Sequence, residues 1–235
     1  MNKIIVANQK NVLNYDEVQT FLEEIEGKIP KENVIFCPSY PYIVDYVKRG
    51  YKVASQDVSS RKDVVTGEVT ALMLSHLFVQ YALVGHTERI LYKQETEEDL
   101  VNKIQALMSS KITPLLCIGE LLEEDFEDVK KRLKRIYDKI SLYAQEKIIL
   151  CYEPFDAIGT KKQIDIQNLE TKINSFKEFI SLEYHIKPKI LYGGSVSEDN
   201  IKDILSITNI DGVCVGREST KSSLFLKLIE VAVTM

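Results

Sequence analysis

Short apolar runs recur along this chain, each followed by a longer amphipathic stretch, and this alternation limits what the chain can fold into. The runs cover residues 4–7, 34–37, 52–55, 81–84, 114–117, 148–152, 189–192 and 212–215. They are short, rich in β-branched residues and bounded by Gly, Pro or Asn, which is how strands buried on both faces read. The stretches between them have helical period. Residues 18–29 put Phe21, Leu22 and Ile25 on one face, and 96–108 do the same with Leu100, Ile104 and Leu107. Thr96 and Asp99 stand at capping-box spacing. A single helix is expected over 126–143, striped by Val129, Leu133, Ile136 and Ile140. Further helices are expected over 169–182 and 222–233.

Strands that alternate with helices pair in parallel through right-handed crossovers. Eight units in 235 residues leave about 29 residues each, close to one strand-plus-helix repeat. No Pro-, Gly- or Ser-rich linker interrupts them. The expectation is one α/β domain over 1–235, a closed (β/α)8 barrel. The alternative is an open, doubly wound sheet. A Gly-rich dinucleotide turn after the first run would favour it, but Asn8-Gln9-Lys10-Asn11 stands there.

Composition narrows the class of function. Apolar residues make up 45% and charged residues 28%, so a packed core is affordable and wholesale disorder is excluded. The net charge is −5 and no basic tract stands out, which argues against a nucleic-acid partner. No stretch of about 18 apolar residues offers a membrane span, and the apolar run at the N-terminus is too short for a signal peptide. Cys37, Cys117, Cys151 and Cys214 are widely spaced, without a CxxC or Cys/His pattern for zinc or redox work. They read as buried free thiols in a reducing, cytoplasmic setting.

In a barrel of this kind chemistry gathers where the strands end at their C-terminal side. Asn8 and Lys10 follow the first run, and Gly85-His86-Thr87-Glu88-Arg89 the fourth. Ile118-Gly119-Glu120 follows the fifth, and Glu153-Pro154 the sixth. Gly193-Gly194-Ser195 follows the seventh, and Gly216-Arg217 the eighth. Glu153 at the end of an apolar strand would be desolvated and suited to act as a base. His86 could donate to an oxygen that gains charge, and Lys10 supplies a fixed cation. The Gly-rich turns offer backbone N–H groups to a phosphate. A base, an electrophile and an anion cradle fit proton abstraction beside a carbonyl on a small phosphorylated substrate.

On these segments, together with Ala157-Ile158-Gly159-Thr160 after Glu153-Pro154, the chain resembles the triosephosphate isomerase family over its whole length. The resemblance implies interconversion of dihydroxyacetone phosphate and glyceraldehyde 3-phosphate through an enediolate, with no metal or organic cofactor. Glu153 would shuttle the proton. His86 would polarise the carbonyl as a neutral imidazole, Lys10 would stabilise negative charge, and Asn8 would orient the substrate. Gly159, Gly194, Ser195, Gly216 and Arg217 would bind substrate, with residues 154–162 as a mobile lid. Glu88 would lie beside Lys10. The loop 56–68, from Gln56-Asp57 to Thr66-Gly67-Glu68, would make a homodimer, and Thr66 would support Lys10 of the partner subunit.

The chain departs from the family pattern at several points. Gln9 and Asp156 stand where the family carries Trp, Lys161 where it carries Gly, and Asp57 where it carries Asn. After the eighth run Gly216-Arg217 replaces a pair of glycines. The Arg217 amide can still bind phosphate with its side chain turned away, or the side chain can enter the pocket and alter substrate choice. Two alternatives stay open on this reading: an isomerase for a related sugar phosphate, such as a tetrulose phosphate, and an inactive barrel retained for binding.

Overall fold

The computed structural model describes residues 3–155 and 165–233. Eight strands close into a parallel barrel in sequence order: β1 Ile4–Asn8, β2 Val34–Cys37, β3 Lys52–Ser55, β4 Tyr81–Val84, β5 Thr113–Ile118, β6 Ile149–Tyr152, β7 Lys189–Tyr192 and β8 Gly212–Val215. Strand β8 returns to β1, pairing Ile5 with Val213 and Ala7 with Val215, so no sheet edge is left over. The helices described are α1 Tyr15–Ile25, α2 Ile43–Lys48, α3 Ala71–His76, α4 Thr87–Lys93, α5 Glu97–Ser109, α6 Phe126–Tyr137, α7 Leu142–Lys147, α8 Ile166–Tyr184, α9 Ile201–Ser206 and α10 Ser222–Val233.

The strand periodicity of two divides the core into two layers. Val6, Ile35, Cys37, Leu83, Leu115, Cys117, Ile149, Cys151, Leu191 and Cys214 pack together inside the barrel. Their sequence neighbours, such as Ile5, Phe36, Val84, Leu150 and Val213, face outward and pack with the helix faces, including Phe21, Leu22, Ile104, Leu133 and Phe176. Each fully buried Leu, Ile or Phe contributes about 1.5–3 kcal/mol relative to exposure. All four cysteines are free and buried, as their apolar settings suggested.

The helices differ from expectation where polar caps intervene. The first starts earlier, at Tyr15, because Asn14 and Glu17 form a reciprocal capping box, and it ends before Gly27, whose φ is 71°. The box at Thr96 and Asp99 forms as its spacing indicated. The single helix expected over 126–143 is two helices. Ser141 caps α7 by accepting from the Ala144 amide, and the Gln145 side chain donates to the Tyr137 carbonyl at the end of α6. The apolar stripe continues through Ile140 and conceals this break.

Candidate active site

Side-chain alternation delivers the carboxylate of Glu153 to the barrel mouth. On β6, Ile149 and Cys151 point inward, so Glu153, two residues on, continues the inward row. It is 1% exposed. Its amide donates to the Ile118 carbonyl at 2.8 Å, and the Phe155 amide donates to the Glu120 carbonyl at 3.0 Å, so pairing with β5 continues beyond the strand ends. The Cys151 thiol stands 3.6 Å from Oε1 as a donor, while Oε2 has no hydrogen-bond partner. An unpaired carboxylate oxygen in so dry a place costs free energy, which marks it for a task beyond stability.

His86 stands across the mouth, with Nε2 3.9 Å from Glu153 Oε2. It caps α4, and its Nδ1 accepts the Glu88 amide at 3.3 Å. A nitrogen that accepts an N–H carries no proton. The ring proton therefore sits on Nε2, aimed at the space shared with Glu153.

Lys10 is held from several sides. Its backbone is in the left-handed region, at φ 52°, a conformation that costs a non-glycine residue of order 1–3 kcal/mol. Its carbonyl accepts from Ser39 Oγ at 2.9 Å and from Gln56 Nε2 at 2.7 Å, and its amide donates to Asn8 Oδ1 at 3.2 Å. The ammonium pairs with Glu88. One residue, Glu88, thus fixes both His86 and Lys10, through its amide and its carboxylate. Asn8 is buried at the end of β1.

Gln9, in the place of the family's Trp, is buried and hydrogen-bonded through both the oxygen and the nitrogen of its side-chain amide. It accepts from the Tyr46 hydroxyl at 2.6 Å and donates to the Ser219 carbonyl at 3.2 Å. It ties the first loop to α2 and to the 3-10 turn Arg217–Thr220 that follows β8. Beside it, a Cβ on Gly216 would stand 4.0 Å from Lys10 Cε, so the loops after β1 and β8 are neighbours. Arg217 opens that turn, is exposed, and makes no ion pair among the described residues. Ser195, in the loop after β7, accepts the Asn200 side-chain amide through its carbonyl at 2.9 Å.

The structure brings Asn8, Lys10, His86, Glu88 and Glu153 to one end of the barrel, with the turns carrying Gly194, Ser195, Gly216 and Arg217 on the adjacent β7 and β8. Gly159, Asp156 and Lys161 lie outside the described residues, as does most of the expected lid. Thr66 lies in the exposed loop after β3 and makes no hydrogen bond to the others among the described residues. Glu120 accepts from the Tyr152 hydroxyl at 2.8 Å and from Lys172 at 2.6 Å, a structural clamp.

Sequence reasoning missed three parts of the site. Gln56 stands out from sequence only as an interface residue, yet it holds the strained Lys10 backbone and also donates to the Cys37 carbonyl at 2.9 Å. Gly193 reads as part of an anion cradle, but a Cβ there would stand 2.6 Å from Glu153 Cγ and 2.8 Å from Cys151 Sγ. Its first duty is to leave room for the carboxylate. Cys151 reads as core, although its place two residues before Glu153 was a usable signal.

Known proteins share this pattern. The family model described as triosephosphate isomerase matches residues 3–232. A protein named triosephosphate isomerase from Thermus thermophilus is 34% identical over 251 aligned positions, covering 99% of this chain and all of the relative. One of the same name from Alkaliphilus oremlandii is 31% identical, covering 96% of this chain and 98% of the relative. Another from Mycoplasma capricolum is 31% identical, with 97% of each covered. With a matching barrel and near-complete coverage, the chain belongs to the triosephosphate isomerase family.

Proposed function

We propose that this chain interconverts dihydroxyacetone phosphate and glyceraldehyde 3-phosphate, with Glu153 as the proton-transferring base. The observation that carries this reading is the dry, unpaired Oε2 of Glu153 facing the Nε2 of His86 at 3.9 Å. In the forward step Glu153 takes a proton from the carbon beside the carbonyl. His86 Nε2–H hydrogen-bonds the carbonyl oxygen as it gains charge, and the Lys10 ammonium stabilises the resulting enediolate. The hydroxyl proton of the enediolate passes to the former carbonyl oxygen by way of His86 as the carboxylic acid returns its proton to the neighbouring carbon, so Glu153 and His86 both end as they began. Asn8, which holds the Lys10 amide, orients the substrate beside that cation.

The substrate is a small phosphorylated sugar, as the family requires. The loop carrying Gly216 and Arg217 adjoins Lys10, and with the loop carrying Gly194 and Ser195 on the neighbouring strand it is the side from which backbone N–H groups would hold the phosphate, together with Gly159. Closing residues 154–162 over the substrate would expel water and strengthen every charge interaction inside. A coupled assay on the purified protein tests the function. Turnover of both triose phosphates is expected, and turnover of a tetrulose phosphate alone would overturn the reading.

The chain acts, on this reading, as one barrel domain over 1–235 and as a homodimer in the cytoplasm. The support for the dimer is the loop after β3, where Val64 is fully exposed and Val65 and Thr66 lie open. Gln56 ties the root of that loop to Lys10, so docking the loop and ordering the cation are mechanically linked. Among the described residues, no helix is long and apolar enough to cross a membrane. Size-exclusion chromatography with light scattering should give twice the chain mass, and a monomer at micromolar concentration would contradict the dimer.

A further inference from the structure

The floor beneath Glu153 is built from thiols that the proposed reaction does not use. Cys117 on β5 and Cys151 on β6 are register partners, so their inward side chains stand side by side. The sulfurs of both and a carboxylate oxygen of Glu153 lie within 4.8 Å of one another, and all three residues are buried. Glu153 Oε2 has no partner, while Oε1 is 3.6 Å from Cys151 Sγ. Tetrahedral coordination with metal–sulfur bonds near 2.3 Å and metal–oxygen bonds near 2.1 Å sets a sulfur and an oxygen about 3.6 Å apart. The observed separation is therefore one that a single ion spans without moving the ligands apart.

We propose that Cys117, Cys151 and Glu153 form a binding site for a thiophilic divalent cation of the zinc and cadmium class. Two sulfurs and one carboxylate favour such ions over magnesium or calcium, which prefer sets made only of oxygen. Cys214 packs in the same inward cluster, beside the set. An ordinary thiol carries its proton at neutral pH. Binding therefore forms two metal–sulfur bonds and one metal–oxygen bond and releases two protons to solvent. The ion is no cofactor. It occupies the carboxylate that the proposed reaction needs as a base, so a filled site is a silent enzyme. That consequence, unlike the binding itself, rests on the role proposed for Glu153.

Cadmium titrated into the reduced protein tests the site. The expected result is a thiolate-to-cadmium charge-transfer absorption that saturates at one equivalent, with two protons released per ion and no such response to magnesium. Cys151→Ala, checked for folding by circular dichroism, should weaken binding by at least about 100-fold, since loss of a partner that merely supports a ligand already costs 10–100-fold. Glu153→Gln should keep the absorption and bind more weakly. Absence of the band at one equivalent, release of fewer than two protons, or undiminished binding by Cys151→Ala or Glu153→Gln would overturn the proposal. The proton count is made on the unmodified protein and stands even if a variant fails to fold. A full band without loss of turnover would uphold the site and count against Glu153 as the base.

Discussion

Glu153 Oε2 and His86 Nε2 face each other at 3.9 Å across the barrel mouth, each fixed by its own strand end. The gap is too long for a hydrogen bond between them. Neither group is engaged by the other, so a base and a donor are both free to converge on a substrate placed beside them. Both groups are held from behind, His86 by the Glu88 amide and Glu153 by the pairing of β6 with β5. Activity should therefore respond to small displacements of either.

Gly193→Ala supplies such a displacement. The added methyl would fall 2.6 Å from Glu153 Cγ, so the carboxylate must move. A misplacement of about 1 Å can cost roughly 100-fold in rate. The expected outcome is a fall in kcat of that order, with a destabilisation of about 1–3 kcal/mol from overpacking. Steady-state kinetics and thermal melts check both.

Tyr46→Phe probes the replacement of the family's Trp by Gln9. Removing the hydroxyl leaves Gln9 Oε1 buried without its donor. The expected cost is about 1–3 kcal/mol of stability, measured by urea denaturation.

Lys103→Met tests the ionic cluster below the loop after β3. Lys103, 3% exposed, pairs with Asp57 at 2.6 Å and Glu95 at 2.5 Å, and Arg89 bridges the same two carboxylates. Removing one buried cation should cost about 3–5 kcal/mol at neutral pH. Burial raises the Asp57 carboxyl above its usual value, outweighing the pull of Lys103 and Arg89. A raised carboxyl favours the folded state most below its unfolded value, and that advantage is lost as pH climbs through the folded value. The penalty of the variant should therefore shrink as pH is lowered toward the carboxylate range. Denaturation at a series of pH values checks the sign.

Arg217→Ala separates a steering role from a specificity role. Arg217 is exposed and makes no ion pair among the described residues, so its charge is free to draw a phosphorylated substrate inward. The variant should raise KM several-fold at low ionic strength, with the difference fading near 1 M salt, where the screening length is about 3 Å. A gain of tetrulose phosphate turnover would instead place the side chain in the pocket.

The barrel was legible because its strands are buried on both faces and its helices on one. All eight strands fall within two residues of their apolar runs. The placement of the candidate residues Asn8, Lys10, His86 and Glu153 at one end of the barrel was legible because each lies at or just past a strand end, and for Glu153 the alternation at residues 149, 151 and 153 can be counted along one segment. What stayed hidden depends on neighbours far apart in sequence. Cys117 and Cys151 meet only through the register of β5 and β6, and nothing in a spacing of 34 residues announces it. Gln56 reaches the Lys10 carbonyl across two strands. The break in the helix after Tyr137 depends on Ser141 and Gln145, polar residues that periodicity does not weigh.

The role of Glu153 is tested most directly by proton NMR of substrate in deuterated water. The unmodified protein should place solvent deuterium on the carbon beside the carbonyl. Glu153→Gln, folded by circular dichroism, should slow that exchange by about 100- to 10,000-fold, the share general-base catalysis supplies. Exchange by the variant within a few-fold of the parent would contradict the assignment of Glu153 as the base.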